Sequence, residues 1–244
     1  MFIKICIMNK KILFIGGTHG DETIGVEVLE KMRGERNDFD VVIGNPKALR
    51  KGRRFVRYDL NRCAPGSRLS PYYEKRRARF LVNLSKKYDY TIDIHGSSCL
   101  VGIFTIITNP SPENLALADK LDLERIVIWP AFSPELKGAL SEYFNCGVEL
   151  ECGPKEDEAT KKELSRVLLK FLDSAADVNY QTAKPKKYYQ VYGSLSASDE
   201  INYPRDWEEF CSLTWRGETF VPLLINSYKK RNGIYCYKMK QIEK

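Results

Sequence analysis

The sequence predicts an α/β fold: a mixed, mostly parallel central sheet flanked by helices, followed by a small β-rich C-terminal domain. Three observations lead there. Between residues 11 and 177, short apolar, β-branched runs alternate with amphipathic stretches of helical period. The first three of these form a strand-helix-strand unit, which builds parallel or mixed sheets whose chemistry sits on loops at the carboxyl ends of strands. After Ala183-Lys184-Pro185 the helical period stops and short tyrosine-rich runs take over. The expected division is a larger domain over residues 1–184 and a smaller one over 185–244.

Taken in order, Lys11 to Ile15 is an unbroken apolar strand, and Glu22 to Met32 a helix with Ile24, Val28 and Leu29 on its inward stripe. Asp21 and Glu22 fall near that helix's N-terminus, where negative charge is favourable. A strand follows at Asp40 to Ile43. Residues 44–68 read as a long irregular stretch, with Pro46, Gly52, Pro65 and Gly66 among Arg50, Lys51, Arg53, Arg54, Arg57 and Arg62. Loops of that length are usually functional or disordered. Ser70 to Tyr88 is helical, with Ser70 as cap and Pro71 at the first helical position. Tyr90 to His95, Gly102 to Thr108, Arg125 to Trp129 and Cys146 to Cys152 read as strands, and Asn114 to Leu121 as a helix. Glu156 to Asp177 is a long amphipathic helix with Leu164, Leu168, Leu169 and Leu172 on one face. In the tail, Tyr188 to Tyr192, Thr219 to Ile225 and Gly233 to Met239 are the strand candidates. There is no internal repeat.

At 244 residues with 43% hydrophobic content, the chain can bury a sizeable core. The net charge of +7 comes from 39 basic residues spread among 32 acids, which suits a local anion site as well as a nucleic-acid partner. The seven cysteines form no CxxC pair and read as reduced thiols in a cytoplasmic protein. Met1 to Met8 is apolar but short and interrupted by Lys4; it reads as an edge strand, or as an extension before a start at Met8. No stretch approaches a membrane span.

The chain has two histidines, His19 and His95, and each follows an apolar run. His19 lies in Gly16-Gly17-Thr18-His19-Gly20-Asp21-Glu22, where a tight turn into a helix lets His19 and Glu22 converge on one ion. Alone the spacing is weak, and the same turn could be a capped glycine loop or a phosphate cradle, although neither GxGxxG nor GxxxxGK is present. His95, ending Tyr90 to His95, would supply the third protein ligand of a catalytic zinc, which leaves a position for water. Asp93 shares its strand face and could orient the imidazole, or pair with a basic group. Val148-Glu149-Leu150-Glu151-Cys152 puts two acids on one face of an apolar strand, costly unless paired or functional. Glu151, nearer the Gly153-Pro154 break, is the better general base, and Glu149 an ion-pair partner. The run Arg53 to Arg62 is a basic loop that, beside a metal, could fork a carboxylate and stabilise an oxyanion.

In this order, GGTHGDE, DLNR, DIHGS and ELECGP resemble the succinylglutamate desuccinylase/aspartoacylase family, an amidohydrolase branch of the zinc carboxypeptidase fold. The similarity runs from about residue 11 to 177, and the tail around Phe220 to Tyr228 looks like a shortened version of the family's C-terminal domain. The resemblance implies one zinc ion held by His19, Glu22 and His95, with Glu151 activating water and passing its proton to the leaving amine. It implies that Arg54 polarises the scissile carbonyl, that Asn61 and Arg62 bind the substrate carboxylate, and that Tyr228 closes the site. One departure stands out: where aspartoacylases carry an arginine for the substrate's side-chain carboxylate, ten residues before the catalytic glutamate, this chain has Ser141.

The resulting expectation is a cytoplasmic zinc-dependent amidohydrolase acting on linear amide bonds, a deacylase of N-acyl amino acids or similar small anionic substrates. A peptide carboxypeptidase is the alternative within the same fold, and a nucleic-acid-binding protein using Arg50 to Arg62 is the alternative outside it. The second leaves His19, His95 and Glu151 without a role, so no nucleic-acid or membrane partner is expected; self-association into a homo-oligomer is left open.

Overall fold

The computed structural model describes residues 10–243 apart from 176, 178, 179, 181, 183, 198–202 and 230–232. The expected strand over Met1 to Met8 lies outside the described residues. The opening strand-helix-strand unit is β1 (Ile12–Gly16), α1 (Ile24–Arg33) and β2 (Asp40–Ile43). Next come α2 (Pro46–Leu49), α3 (Tyr73–Ser85), β3 (Tyr90–Gly96), β4 (Gly102–Ile107), α4 (Pro112–Lys120), β5 (Arg125–Ile128), β6 (Gly147–Gly153) and α5 (Glu158–Ser174). The C-terminal stretch supplies β7 (Lys187–Ser196), β8 (Leu213–Trp215), β9 (Glu218–Leu223) and β10 (Ile234–Ile242).

These strands join one 10-stranded sheet in the order β2-β1-β3-β6-β4-β5-β7-β10-β9-β8. The pairs from β2 to β6 are parallel, β6 meets β4 antiparallel, and β4, β5 and β7 are again parallel. Antiparallel pairing of β7, β10, β9 and β8 completes the mixed sheet. The C-terminal stretch therefore enters the sheet directly, through β7 against β5.

The two-residue period of the strands sorts side chains between two faces. Ile92 and Ile94 of β3, with Val148 and Leu150 of β6, pack with Ile24 and Leu29 of α1, Leu117 of α4 and Leu164, Leu168 and Phe171 of α5. The alternate residues, Asp93, His95, Glu149 and Glu151, share the other face. There they are bordered on one side by Leu13, Ile15 and the α3 residues Ala78, Leu81 and Val82. On the other side stand Phe104, Ile106, Val127 and Tyr189, with Leu223, Tyr237 and Met239 from the C-terminal strands. A polar strip is thus held between two apolar clusters at the centre of the sheet.

Three local differences from the sequence reading have physical causes. α1 begins at Ile24 with Thr23 as its N-cap, because the Glu22 carboxylate is drawn out of the helix toward the two histidines. α3 begins at Tyr73, and Ser70 does not cap it: its Oγ accepts from the Tyr72 amide in a tight turn. Tyr72 is held outside the helix, edge-on to Tyr58 at 4.8 Å and beneath the Arg57 guanidinium at 4.6 Å. Finally, the stretch 44–68 contains α2, which Asn45 caps by accepting from Ala48 N at 3.1 Å with Pro46 at the first position.

Candidate metal centre and substrate cavity

From β1 the chain goes to β2 on one side, and then crosses to β3 on the other. Such a reversal opens a crevice at the carboxyl ends of the strands, where open α/β sheets bind ligands. The turn after β1 supplies His19 and Glu22; the end of β3 supplies His95. Two glycines let the turn fold this way. Gly17 has φ of +67°, which side chains with a Cβ rarely adopt. At Gly20 a Cβ would lie 2.1–2.5 Å from the backbone of Ala48 and Leu49, so the turn seats directly on α2. Gly20→Ala is expected to push the turn off α2, costing about 1–3 kcal/mol and lowering metal occupancy. Thermal denaturation together with metal analysis of the purified variant checks both.

His19 Nδ1 lies 2.9 Å from Glu22 Oε1 and 3.3 Å from His95 Nδ1, and His95 Nδ1 lies 3.2 Å from Glu22 Oε2. The other ring nitrogens face carboxylates. His19 Nε2 meets Asp59 Oδ1 at 2.9 Å, and His95 Nε2 is 3.2 Å from Asp93 Oδ2, too oblique for a hydrogen bond but close. A neutral imidazole carries one proton, and a carboxylate faces the Nε2 of each ring, so the tautomer protonated at Nε2 leaves both Nδ1 atoms free to ligate. In that tautomer both Nδ1 lone pairs point at each other and at the Glu22 oxygens with no proton between them. That arrangement is repulsive by itself and suits one cation ligated at about 2.0–2.2 Å by nitrogen and oxygen. The residues present therefore fit a metal ion. The backbone N–H of Gly96 donates to Glu22 Oε2 at 3.1 Å, and Thr18 Oγ1 donates to Asp93 at 2.8 Å, tying turn and strand together.

The electrostatics agree. Burial opposes charge on His95, but Asp93, Glu22 and Glu149 outweigh it and raise the imidazole well above its ordinary value. His19 is raised too, with burial and Arg54 opposing Glu22 and Asp59. Burial likewise works against ionising Glu22, yet the two histidines and Arg54 hold its carboxyl well below the usual range. Without a metal the pocket recruits protons; a divalent cation satisfies the same excess of negative charge.

Glu151 lies beside this centre because β3 and β6 are in register, His95 opposite Glu151 and Asp93 opposite Glu149. Burial, then the nearby Glu22 carboxylate, push its carboxyl up to about 7. Arg54 is forked between Glu22 Oε1 (Nη1, 2.8 Å) and Asp59 Oδ2 (Nε, 3.0 Å). Asn61 donates through Nδ2 to Glu149 Oε1 at 3.2 Å and accepts from Leu140 N at 2.8 Å. Arg62 donates to the carbonyls of Asn61 and Glu135 at 2.6 and 3.0 Å. Tyr228 is enclosed, and burial followed by the Glu151 carboxylate raises its phenol above the ordinary value. Glu151, Arg54, Asn61, Arg62 and Tyr228 line one cavity with His19, Glu22 and His95, walled also by Ile106, Thr108, Trp129, Leu136, Ala139, Glu149 and Tyr237.

The sequence reading assigned no role to Asp59, which holds both His19 and Arg54, or to Thr18, which holds Asp93. Asp59 was visible only as the acid of DLNR beside a basic run. Of that run, Arg54 and Arg62 turn to the cavity, while Arg50, Lys51, Arg53 and Arg57 are exposed.

A mixed α/β sheet with a buried His-Glu-His cluster at its topological switch point defines the class as an α/β protein with a candidate metal centre. The model of the succinylglutamate desuccinylase/aspartoacylase catalytic domain matches residues 8–177, and the chain belongs to this family of deacylating amidohydrolases. A probable aspartoacylase of Prochlorococcus marinus (strain MIT 9515) is 26% identical, covering 95% of this chain and 94% of that one. A probable aspartoacylase of Trichodesmium erythraeum (strain IMS101) is 29% identical over 163 residues, so the match spans 59% of this chain and 56% of that relative. The fold is shared with murine aminoacylase 3, at TM-score 0.76, 20% identity and 96% of each chain. It is also shared with the succinylglutamate desuccinylase of Chromobacterium violaceum, at TM-score 0.71, 18% identity, 97% of this chain and 86% of that one. Among the described residues no helix is long and apolar enough to cross a membrane.

Proposed function

We propose that the chain is a zinc-dependent hydrolase that cleaves the amide bond of an N-acyl amino acid or a similar small carboxylate substrate. The observation that carries this reading is the convergence of His19 Nδ1, His95 Nδ1 and the Glu22 carboxylate beside Glu151. Two imidazoles and a carboxylate favour zinc over oxygen-preferring ions. Held by those three residues, zinc supplies Lewis acidity that polarises a carbonyl and lowers the pKa of water.

The chain's own groups do the rest. Glu151 takes a proton from the attacking water and returns it to the leaving amine as the C–N bond breaks, so that amide and water become acid and amine. Arg54, kept in place by Glu22 and Asp59, directs its guanidinium at the negative charge that grows on the carbonyl oxygen. Asn61 and Arg62 hold the substrate carboxylate, and Tyr228 closes the cavity. Seven cysteines with no CxxC pair fit a cytoplasmic location, and a catalytic domain over residues 1–184 with a small β-rich domain over 185–244 is part of the same proposal.

The test is a panel of Nα-acetyl amino acids set against dipeptides with the same C-terminal residues, assayed with the zinc-loaded protein. The expected result is a kcat/KM at least about tenfold higher for the acetyl compounds. Preference for the dipeptides would establish a carboxypeptidase instead.

A further inference from the structure

Glu149 is a buried acid in the wall of the substrate cavity, and the hydrolytic chemistry does not use it. Its Oε1 accepts from Ser141 Oγ at 2.7 Å and from Asn61 Nδ2 at 3.2 Å, both neutral donors. Among the described residues its Oε2 has no hydrogen bond, and its one ion-pair contact is His95 Nε2 at 3.8 Å, a nitrogen already faced by Asp93. The arginines of the cavity are turned elsewhere, Arg54 onto Glu22 and Asp59, and Arg62 onto two backbone carbonyls.

We propose that Glu149 selects substrates whose amino-acid half carries a positively charged side chain. This rests on the hydrolase reading above and specifies its substrate class. At this buried wall, a substrate side-chain carboxylate would meet a like charge, whereas an ammonium would complete an ion pair whose other half is already built. Trp129 and Tyr237, edge-on at 4.5 Å, line the same cavity and add aromatic rings that suit a cation. Asn61, the proposed partner of the substrate carboxylate, bonds Glu149 directly. That adjacency places the cation on the half of the substrate that bears the carboxylate. Ser141 is buried as a short neutral donor to Glu149, with its hydroxyl also 2.8 Å from Thr108 Oγ1, so no basic side chain from this position neutralises the acid.

Equilibrium binding tests this independently of turnover. Ornithine, norvaline and glutamate are titrated calorimetrically into the zinc-loaded chain, and into its Glu149→Gln variant, whose amide oxygen can still accept from Ser141 and Asn61. Ornithine is expected to bind about 100-fold tighter than norvaline, with glutamate weakest, and the ornithine-to-norvaline ratio to collapse toward one in the variant. Glutamate binding as tightly as ornithine, equal binding of all three, no binding of any, or an unchanged ratio in Glu149→Gln would each overturn the proposal. The wild-type ranking stands without the variant should Glu149→Gln fold poorly. Hydrolysis of the Nα-acetyl forms separates the two readings. Turnover without a cation preference removes the role of Glu149 and keeps the hydrolase. Selective ornithine binding without any amide hydrolysis removes the hydrolase and keeps the cation site.

Discussion

Glu151→Gln is expected to lower kcat for amide hydrolysis by about 1,000-fold while the chain still binds one zinc. The carboxylate sits beside His95 in register but is not among the three converging donors, so its loss removes the proposed proton acceptor and leaves the proposed ligand set intact. The same substitution has a second signature, on stability. In the metal-free fold burial, with Glu22 nearby, raises the Glu151 carboxyl to about 7, against about 4.3 in an unfolded chain. The folded state then holds this proton more tightly than the unfolded state does, so the group's contribution to stability falls as pH rises from about 4.3 and is lost above about 7. Metal-free Glu151→Gln should therefore be more stable than metal-free wild type at pH 8, by on the order of 1–3 kcal/mol, and close to it at pH 4. Urea denaturation of the chelator-stripped proteins at both pH values reads this. A variant that is inactive and also less stable at pH 8 would mean that Glu151 is a structural residue.

Arg54→Lys is expected to lower kcat by about 100-fold with a smaller change in KM. The guanidinium spans Glu22 and Asp59 at 2.8 and 3.0 Å and still faces the cavity, which a single ammonium cannot reproduce. Zinc affinity measured on the same preparation separates two roles. A fall in kcat at unchanged affinity identifies a residue acting on the carbonyl oxygen. A fall in affinity at unchanged kcat identifies one that merely positions Glu22 and Asp59.

Much of this architecture is legible in the sequence because it is written in short-range patterns. The runs at 11–15, 40–43, 90–95, 102–108, 125–129 and 146–152 correspond to β1 to β6 to within one or two residues. Strand parity puts Asp93 with His95 and Glu149 with Glu151, and the parallel register of β3 and β6 sets the two pairs side by side. The family motifs span only the centre of the site. What stays hidden depends on contacts between distant segments. Glu149 meets Ser141 and Asn61 from positions 8 and 88 residues away, so a two-residue parity argument sees only an acid on a buried face. Asp59 reaches His19 across 40 residues through a loop whose course follows from Gly20 packing on α2 and Tyr72 locking against Arg57. The capping signal of Asn45-Pro46 was present, but the basic composition around it conceals a helix of four residues. Likewise, nothing local in Tyr188 to Tyr192 announces that β7 pairs with β5 and carries the sheet into the C-terminal stretch.

His19, Glu22 and His95 are proposed to hold the ion on which catalysis depends. The decisive measurement returns zinc in fractional equivalents to the chelator-stripped chain and follows both bound zinc and hydrolysis of an Nα-acetyl amino acid. No hydrolysis is expected at zero equivalents, then a linear rise that breaks at one zinc per chain, with no tight binding or recovery in His95→Gln. Hydrolysis that survives stripping, or a His95→Gln variant that binds and recovers as the wild type does, would contradict it.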